Sequence, residues 1–547
     1  MSANTPLSQH FQSNSRYLIG FSGVFALLLL AFLCLWTLFG TGISAALLTQ
    51  MMHDSYLAHV IVITVKQALL SVGFATVIGV LGALAFHRRG RFFGRSILLL
   101  TCFSAMIMPS TVAALSLLKL WGQSGLIAQT PLAIFLPDRL GLWSVVLAHV
   151  FFNAPLVMRV CLTALDNIPL SQRRSAALLC LSPWAYWSVI DWPTMRAVLP
   201  AIMGLVFLLC ATSFSLVLML GGGPSVTTLE VSIYTSLRFE FNLPKAAFLS
   251  FLQLVLCGLL LQLFGKTRHS ITALSRPEGI FVTRADANSL LMRLCDGVII
   301  CGIILLNIVP IMLLIFASDL TQGLPLLMTD RFWSALTNSV TLAIGASFFA
   351  LILAFLLGFL AYEAQLRGHH WVVKLSDFSQ SLFLIIPALV LGTALFILLR
   401  AYMDVSANAF WILMLGNGLL ALPFCYRLIV PALLRHLAET APLVALWHIP
   451  AMRRYFTIII PSLRNEIGFA LGLSAALSFG DLGIITLFGS QSFETLPYML
   501  FSFLNRYGAK EADLLALILV LLAIGLYLGA QKAVGYWARH TAQVKSC

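Results

Sequence analysis

Long apolar runs separated by short polar breaks follow one another from Tyr17 to the C-terminal region. A bilayer core about 30 Å thick needs roughly 20 apolar residues per helical crossing, and each run has about that length. The runs predict membrane helices at 17–40, 60–86, 96–120, 141–165, 197–220, 246–265, 294–317, 336–362, 378–400, 409–434, 466–488 and 513–534. The pattern therefore predicts an all-α polytopic membrane protein with about 12 transmembrane helices.

The amino-acid composition is typical of a protein that is surrounded by lipid. Of the 547 residues, 60% are hydrophobic and 10% are charged, whereas roughly a quarter of the residues in a soluble domain are charged. The net charge of +13 comes from short loops between apolar runs, so membrane topology explains it better than a nucleic-acid partner. The first run, from Tyr17 to about Gly40, is too long for a signal-peptide core and indicates a retained anchor.

Loop charge predicts the orientation of the helices. If both termini are cytoplasmic, the cytoplasmic loops contain most of the loop Lys and Arg residues, including Arg88, Arg89 and Arg174. The opposite loops are poor in basic residues and carry acids such as Asp138 and Glu240. The positive-inside rule therefore favours cytoplasmic termini.

The two halves of the chain match each other at a shift of 268 residues. The matches, some with a small drift in register, are Pro155 with Pro423, Arg159 with Arg427, Pro193 with Pro461, Pro109 with Pro387, and Ser213-Phe214 with Ser478-Phe479. We therefore expect two six-helix repeats, at 1–265 and 294–547, joined by a polar cytoplasmic linker at 266–293. Two such units predict a transporter with one pathway at their interface, although a channel has the same plan.

Two cytoplasmic loops, near 166–196 and 435–465, are longer than their neighbours, and each follows the fourth helix of a repeat. The first contains a short helix-forming stretch, a break at Ser182-Pro183, an aromatic segment and a proline stop at Pro193. It predicts a docking helix that lies along the membrane. An ordinary amphipathic interfacial helix has the same composition.

The spacing in these loops resembles the cytoplasmic signature of ATP-binding-cassette importer permeases. That signature is Glu-Ala-Ala, a glycine six positions after the glutamate, and Leu-Pro thirteen positions after the glycine. The matching positions, several with altered letters, are Arg174, Ala176, Cys180, Trp187 and Pro193 in the first loop, and Pro442, Ala445, His448, Tyr455 and Pro461 in the second. The resemblance implies that these residues contact the ATPase through a coupling helix.

Longer segments resemble the permeases of bacterial thiamine and thiamine-pyrophosphate importers. They lie at 147–159, 220–234, 478–489 and 494–500, and so sample both halves. The resemblance implies a type I ABC importer permease fold in the cytoplasmic (inner) membrane. It also implies three partners, which are a homodimeric ATPase inside, a periplasmic substrate-binding protein outside, and a small-molecule cargo of the thiamine class.

The chain lacks the residues of an energy-converting or catalytic site. Its nearest approach to a phosphate-binding loop, at 260–267, has Leu260 in place of the first glycine. The ten cysteines are scattered singly, most of them in apolar runs, without the spacing that zinc requires. We therefore expect a transport subunit that is not an enzyme, needs no cofactor or metal, and relies on a partner chain for ATP hydrolysis.

Asp481 is the most interesting charge at membrane depth, in the middle of the predicted eleventh helix and beside Gly480. Ionisable residues at such depth are functional candidates, and a carboxylate that faces the pathway would favour a thiazolium cation. Two alternatives are pairing with a nearby Arg or Lys and capping of a helix kink. Lys66, Arg159 and Arg427 lie near helix ends, where we expect them to anchor the helices.

Two other functions are compatible with the plan of the chain. Ferric iron permeases have the same two-half organisation, and only the longer segments favour thiamine. An ion-coupled secondary carrier would also have about a dozen helices, but it would work without an ATPase.

Overall fold

The computed structural model describes residues 14–42, 49, 53–90, 92–122, 125–131, 141–179, 181–264, 289–316, 323–446, 455–489, 493–505 and 509–543. Every regular element in these ranges is helical. Within them, nine helices are long and apolar enough to cross a membrane, and one bent pair of helices makes a tenth candidate. The chain is therefore an all-α polytopic membrane protein, as the apolar runs predict.

The N-terminal part of the chain contains ten labelled helices. They are α1 (Asn14–Gly42), α2 (Ser55–Arg89), α3 (Arg95–Ile107), α4 (Ser110–Trp121), α5 (Leu142–Asp166), α6 (Leu170–Leu178), α7 (Pro183–Ala211), α8 (Ser215–Leu220), α9 (Leu229–Arg238) and α10 (Leu243–Phe264).

The C-terminal part contains nine. They are α11 (Leu290–Phe316), α12 (Asp330–Leu366), α13 (His370–Ile385), α14 (Ala388–Leu399), α15 (Ala409–Leu446), α16 (Arg464–Phe479), α17 (Ile485–Phe488), α18 (Leu496–Asn505) and α19 (Ala509–Gln543). Most of the predicted linker lies outside the described residues, and α11 begins at Leu290, four residues before the predicted start of the second half.

Four predicted spans, the third, the fifth, the ninth and the eleventh, are not continuous helices. The third divides at Pro109, and the ninth divides at Pro387, where α13 and α14 meet at 95°. Proline has no backbone N–H and its ring clashes with the preceding turn, so a helix rarely passes through it undisturbed. The predicted eleventh span also breaks, because α16 ends at Phe479. The count of twelve spans stays a prediction.

Two of the long helices, α2 and α12, begin with side-chain caps. Asp54 Oδ1 accepts a hydrogen bond from the Tyr56 N–H at 2.8 Å at the start of α2, and Thr329 Oγ1 accepts one from the Phe332 N–H at 3.3 Å at the start of α12. Such caps satisfy N–H groups that have no partner within the helix. Both α2 and α12 then pack along a long partner, α5 and α15 respectively.

The first helix of each part packs on the other part of the chain. Helix α1 contacts α12, α13 and α14, whereas α11 contacts α2, α3 and α4. An apolar cluster that includes Met108, Phe151 and Phe479 also joins elements from both parts. The two parts are therefore interlocked through exchanged helices.

The exchanged helices are fixed by polar contacts at one end. Asp296 on α11, which is 1% exposed, accepts hydrogen bonds from Arg88 Nη1 and Arg89 Nε on α2, each at 2.6 Å. At the other exchanged pair, the Arg367 guanidinium lies 4.6 Å from the centre of the Tyr17 ring. Each long helix, α2 or α12, is thus held by the first helix of the opposite part.

Candidate functional site

The helix break after α16 contacts two other helix breaks. A Cβ atom added to Gly480 would lie 3.1 Å from the Pro109 Cα, so the chain after α16 touches the break between α3 and α4. A Cβ atom added to Gly483 would lie 3.1 Å from the Cβ of Ala388, at the start of α14. Glycine at these two positions permits the close approach. The segment 480–484 is therefore enclosed by breaks from both parts of the chain.

Asp481 lies in this segment, and not in the middle of a helix as the sequence predicted. Its Oδ1 accepts a hydrogen bond from the Gly483 N–H at 3.1 Å, and its Oδ2 accepts one from the Ile484 N–H at 3.3 Å. Aspartate side chains compete in this way with helical hydrogen bonds, which explains why α16 ends before it. In the described residues no Arg or Lys forms an ion pair with Asp481. The side chain caps the break and is half-buried.

The N-terminal part has a similar break that is satisfied differently. Helix α7 ends at Ala211 and α8 begins at Ser215. Gln67 Nε2 donates to the Cys210 carbonyl at 2.8 Å, and Gln253 Nε2 donates to the Ala211 carbonyl at 3.0 Å. Neutral amide side chains therefore satisfy backbone carbonyl groups at this break. At the break in the C-terminal part, the carboxylate of Asp481 satisfies backbone N–H groups instead.

Helix α6 occupies the position of the predicted docking helix. Arg174 is exposed on it, and Ala176 is buried. Leu178 and Leu179, at its end, are 85% and 71% exposed. Cys180 lies outside the described residues. The helix therefore presents one basic and two apolar side chains to its surroundings.

Arg173, which the sequence analysis did not select as a site residue, fixes α6 to the preceding helix. Its Nη2 donates to the carbonyl oxygens of Leu165 and Asp166 at 2.9 and 2.6 Å. The Asp166 carboxylate in turn lies 2.8 Å from His87 Nδ1 and 3.6 Å from Arg95 Nη2. Helix α6 is thereby tied to α2, α3 and α5. The sequence places the two arginines next to each other in a loop and does not indicate which side chain points inward.

The aromatic segment after α6 is helical. Trp187 begins a π-helical turn that ends at Asp191, and its ring stacks on Trp184 at 4.8 Å and on Trp192 at 5.6 Å between ring centres. The predicted stop at Pro193 is wrong, because α7 continues through this residue to Ala211. A widened turn directly before the proline accommodates its missing N–H group.

The second predicted docking loop is also partly helical. Pro442 and Ala445 lie in the last turns of α15, which continues to Leu446, well past the predicted start of the loop at 435. His448 lies outside the described residues. Tyr455 begins a second π-helical turn, and Pro461 lies in the short helix that follows it. Both π turns thus begin six residues before the prolines that the repeat aligns.

No group of three or more His, Cys, Asp or Glu side chains in the described part of the chain is arranged to hold a metal ion. The sequence predicted no metal site. The polar groups near the breaks are instead arranged as caps and donors to the backbone.

The chain resembles thiamine transport permeases over most of its length. No protein-family model matches it. It is 32% identical to the thiamine transport system permease protein ThiP of Escherichia coli (strain K12), over 88% of this chain and 90% of that protein. It is 35% identical to ThiP of Brucella melitensis, over 88% of both chains, and 33% identical to ThiP of Haemophilus influenzae, over 86% and 87%. The resemblance inferred from the segments of both halves is confirmed. The chain therefore belongs to the ThiP family of thiamine ABC importer permeases.

Proposed function

We propose that this chain is the transmembrane permease subunit of an ATP-binding-cassette importer that carries thiamine and its phosphates across the bacterial cytoplasmic membrane. The observation that carries the proposal is the identity of 32–35% to ThiP proteins along nearly the whole chain. The all-helical membrane architecture supports it, because a permease must supply the path across the bilayer.

We assign the energy source to a separate homodimeric ATPase. Helix α6 and the end of α15, which extends to Leu446, would each contact one ATPase subunit. The exposed Leu178 and Leu179 support this assignment for α6, because such side chains are commonly buried in protein interfaces. The contacts of Arg173 would transmit movement of α6 directly to α5.

We assign the two parts of the chain, 1–265 and 294–547, to a duplicated unit with both termini in the cytoplasm. The reciprocal packing of α1 and α11 supports the duplication. The positive-inside rule supports the orientation, because Arg88 and Arg89 end α2 on the side that carries α6.

The pathway is proposed to pass the segment 480–484. Cargo delivered by a periplasmic binding protein would pass Gly480 and Asp481 as the permease alternates between outward-open and inward-open states. The carboxylate of Asp481 would lower the electrostatic cost of moving a cation at this depth.

Uptake by cells with and without this chain tests the cargo. Cells that contain the chain and its partner subunits should take up labelled thiamine, and deletion of the chain should abolish that uptake. Loss of ferric iron uptake alone would identify an iron permease. Thiamine uptake driven by an ion gradient in liposomes without any ATPase would identify a secondary carrier, and would also contradict the proposal.

A further inference from the structure

Glu230, the second residue of α9, is buried without a protein partner. Its side chain is 1% exposed, and in the described ranges neither carboxylate oxygen has a hydrogen-bond donor. The preceding residue is held firmly, because the Leu229 N–H donates to Thr64 Oγ1 on α2 at 2.9 Å. An uncompensated buried carboxylate is strongly destabilising, so its charge must be neutralised by a bound species.

The contacts around Glu230 connect α9, α2, α7 and α10. Gln67 lies one turn after Thr64 on α2 and donates to the Cys210 carbonyl. Gln253, on α10, donates to the adjacent Ala211 carbonyl. Both glutamines are fully buried. The two amides are therefore brought together at the end of α7.

Gln253 also contacts a thiol on its own helix, α10. Gln253 Nε2 lies 3.9 Å from the Cys257 sulphur, one turn further along the helix. Helix α9, which carries Glu230, packs on both α2 and α10. Glu230 therefore lies on a helix that contacts the two helices that carry the buried amides.

The unpaired groups in this set are hydrogen-bond acceptors. Gln67 Oε1 and Gln253 Oε1 have no donor in the part of the chain that the structure describes, as is true of both Glu230 oxygens. Amide and carboxylate oxygens accept hydrogen bonds or bind cations, but do not donate when the acid is ionised. This composition favours a positively charged ligand over an anion.

In the part of the chain that the structure describes, no basic side chain forms an ion pair with Glu230. Helices α14 and α17, which pack on α9, contain no titratable residue. On α10, Lys245 pairs with Glu240 at 3.0 Å. On α2, Lys66 is exposed whereas Thr64 and Gln67 are buried, so the lysine lies on another face of the helix.

The C-terminal part lacks this set of polar groups. The Leu496 N–H donates to Ser339 Oγ at 2.8 Å, which reproduces the contact of Leu229 with Thr64. From these anchors, Pro497 corresponds to Glu230 and Leu342 corresponds to Gln67. The scaffold therefore forms without a buried acid, and the acid is available for a separate role.

We propose that Glu230, with the amide oxygens of Gln67 and Gln253 nearby, forms a binding site for one monovalent cation, either a proton or a sodium ion. Occupancy stabilises α9 in its buried position. Helix α9 also reaches the other part of the chain, because Arg238 Nη2 donates to the Gly489 carbonyl at 3.0 Å. The site consequently links cation binding to contact between the two parts.

Thermal unfolding of the full chain in detergent tests the site, with Glu230→Gln as the neutral variant of the same shape. If sodium is the ligand, replacing choline chloride by sodium chloride raises the Tm of the wild type by about 2 °C or more and leaves the variant unchanged. If a proton is the ligand, sodium has no effect, and the Tm of the wild type falls relative to the variant as pH rises, because ionisation leaves a buried charge.

Glu240→Gln is the matched control, since Glu240 is an exposed carboxylate that follows α9. It should respond to sodium and pH as the wild type does. Superimposable responses of the wild type and Glu230→Gln in both series would overturn the proposal.

Alkylation of the wild type gives a second measurement in case Glu230→Gln does not fold. The rate of maleimide labelling at Cys257, divided by the rate at buried Cys161, should fall when the site is loaded. Peptide mass spectrometry separates the two thiols. A ratio that is independent of sodium and of pH would contradict the proposal.

Discussion

Side chains of different charge satisfy the helix break after α7 and the helix break after α16. In the N-terminal part, Gln67 and Gln253 donate to carbonyl groups at the end of α7. In the C-terminal part, Asp481 accepts from two N–H groups after α16. Only the second arrangement places a formal charge at the breaks. A cation that passes would therefore interact with the two parts of the chain differently.

Asp481→Asn separates the charge of the side chain from its capping role. Asparagine retains an oxygen that accepts from the Gly483 N–H, so the fold should persist. We expect uptake of labelled thiamine to fall roughly tenfold, because the negative charge at membrane depth is lost. Asp404→Asn is the control, since Asp404 caps the Ser406 and Ala407 N–H groups with the same spacing at an exposed loop. Normal uptake by Asp481→Asn would show that the Asp481 side chain acts only as a cap of the helix break.

Arg173 and Arg174 are neighbours with opposite environments. We expect Arg173→Met to reduce the free energy of unfolding by roughly 2 kcal/mol, because a buried charged donor to two carbonyl groups is lost. Arg174→Met should change it by less than about 0.5 kcal/mol, as exposed positions usually do. Thermal unfolding of the purified proteins measures both. Equal effects would show that the carbonyl contacts do not stabilise α6.

The two π turns are the least expected elements of the fold. Each begins six residues before an aligned proline, at Trp187 and at Tyr455. Hydrophobic periodicity predicted the positions of the helices well, because apolar runs report membrane crossings directly. It could not distinguish a proline that ends a helix from one that the preceding turn accommodates. The helix end that was predicted at Pro193 is therefore wrong, whereas helices do break at Pro109 and Pro387.

At the level of elements, the exposed end of α6 should determine ATPase binding. Replacing both Leu178 and Leu179 by serine should weaken association with the ATPase by about 100-fold or more, since each buried leucine contributes roughly 1.5 kcal/mol or more. Co-purification of the ATPase with the tagged permease measures this loss. Phe93→Ser, at a fully exposed residue between α2 and α3, is the control and should bind normally. Retained binding by the double variant would place the contact elsewhere.

Contacts that join distant parts of the chain define the molecule as a whole. The Asp296 carboxylate joins α11 to α2 although about 200 residues separate the partners. The aligned prolines and arginines predicted two related halves. They did not predict that the first helices are exchanged, because apolar periodicity identifies a lipid-sized helix without identifying its neighbour. Asp296 itself was not selected, since an acid at the start of an apolar run has no unique partner in sequence.

Asp296→Asn tests the strength of this connection. The variant removes the buried negative charge that Arg88 and Arg89 share, so we expect the free energy of unfolding to fall by roughly 3 kcal/mol. Glu240→Gln breaks the exposed pair with Lys245 and should cost less than about 1 kcal/mol. Thermal unfolding in detergent gives both values. An unchanged Tm for Asp296→Asn would show that apolar packing alone holds α11.

The exchange of first helices also determines when the contacts of α1 can form during biosynthesis. Helix α1 leaves the ribosome first, but α12, which it contacts, begins about 290 residues later. At roughly 5–20 residues per second, α1 waits about 15–60 s for its neighbour. During that interval lipid or the insertion machinery must cover the face that α12 later occupies. A nascent chain that stalls before Asp330 therefore has a first helix that can pack on α10 but lacks its neighbour α12.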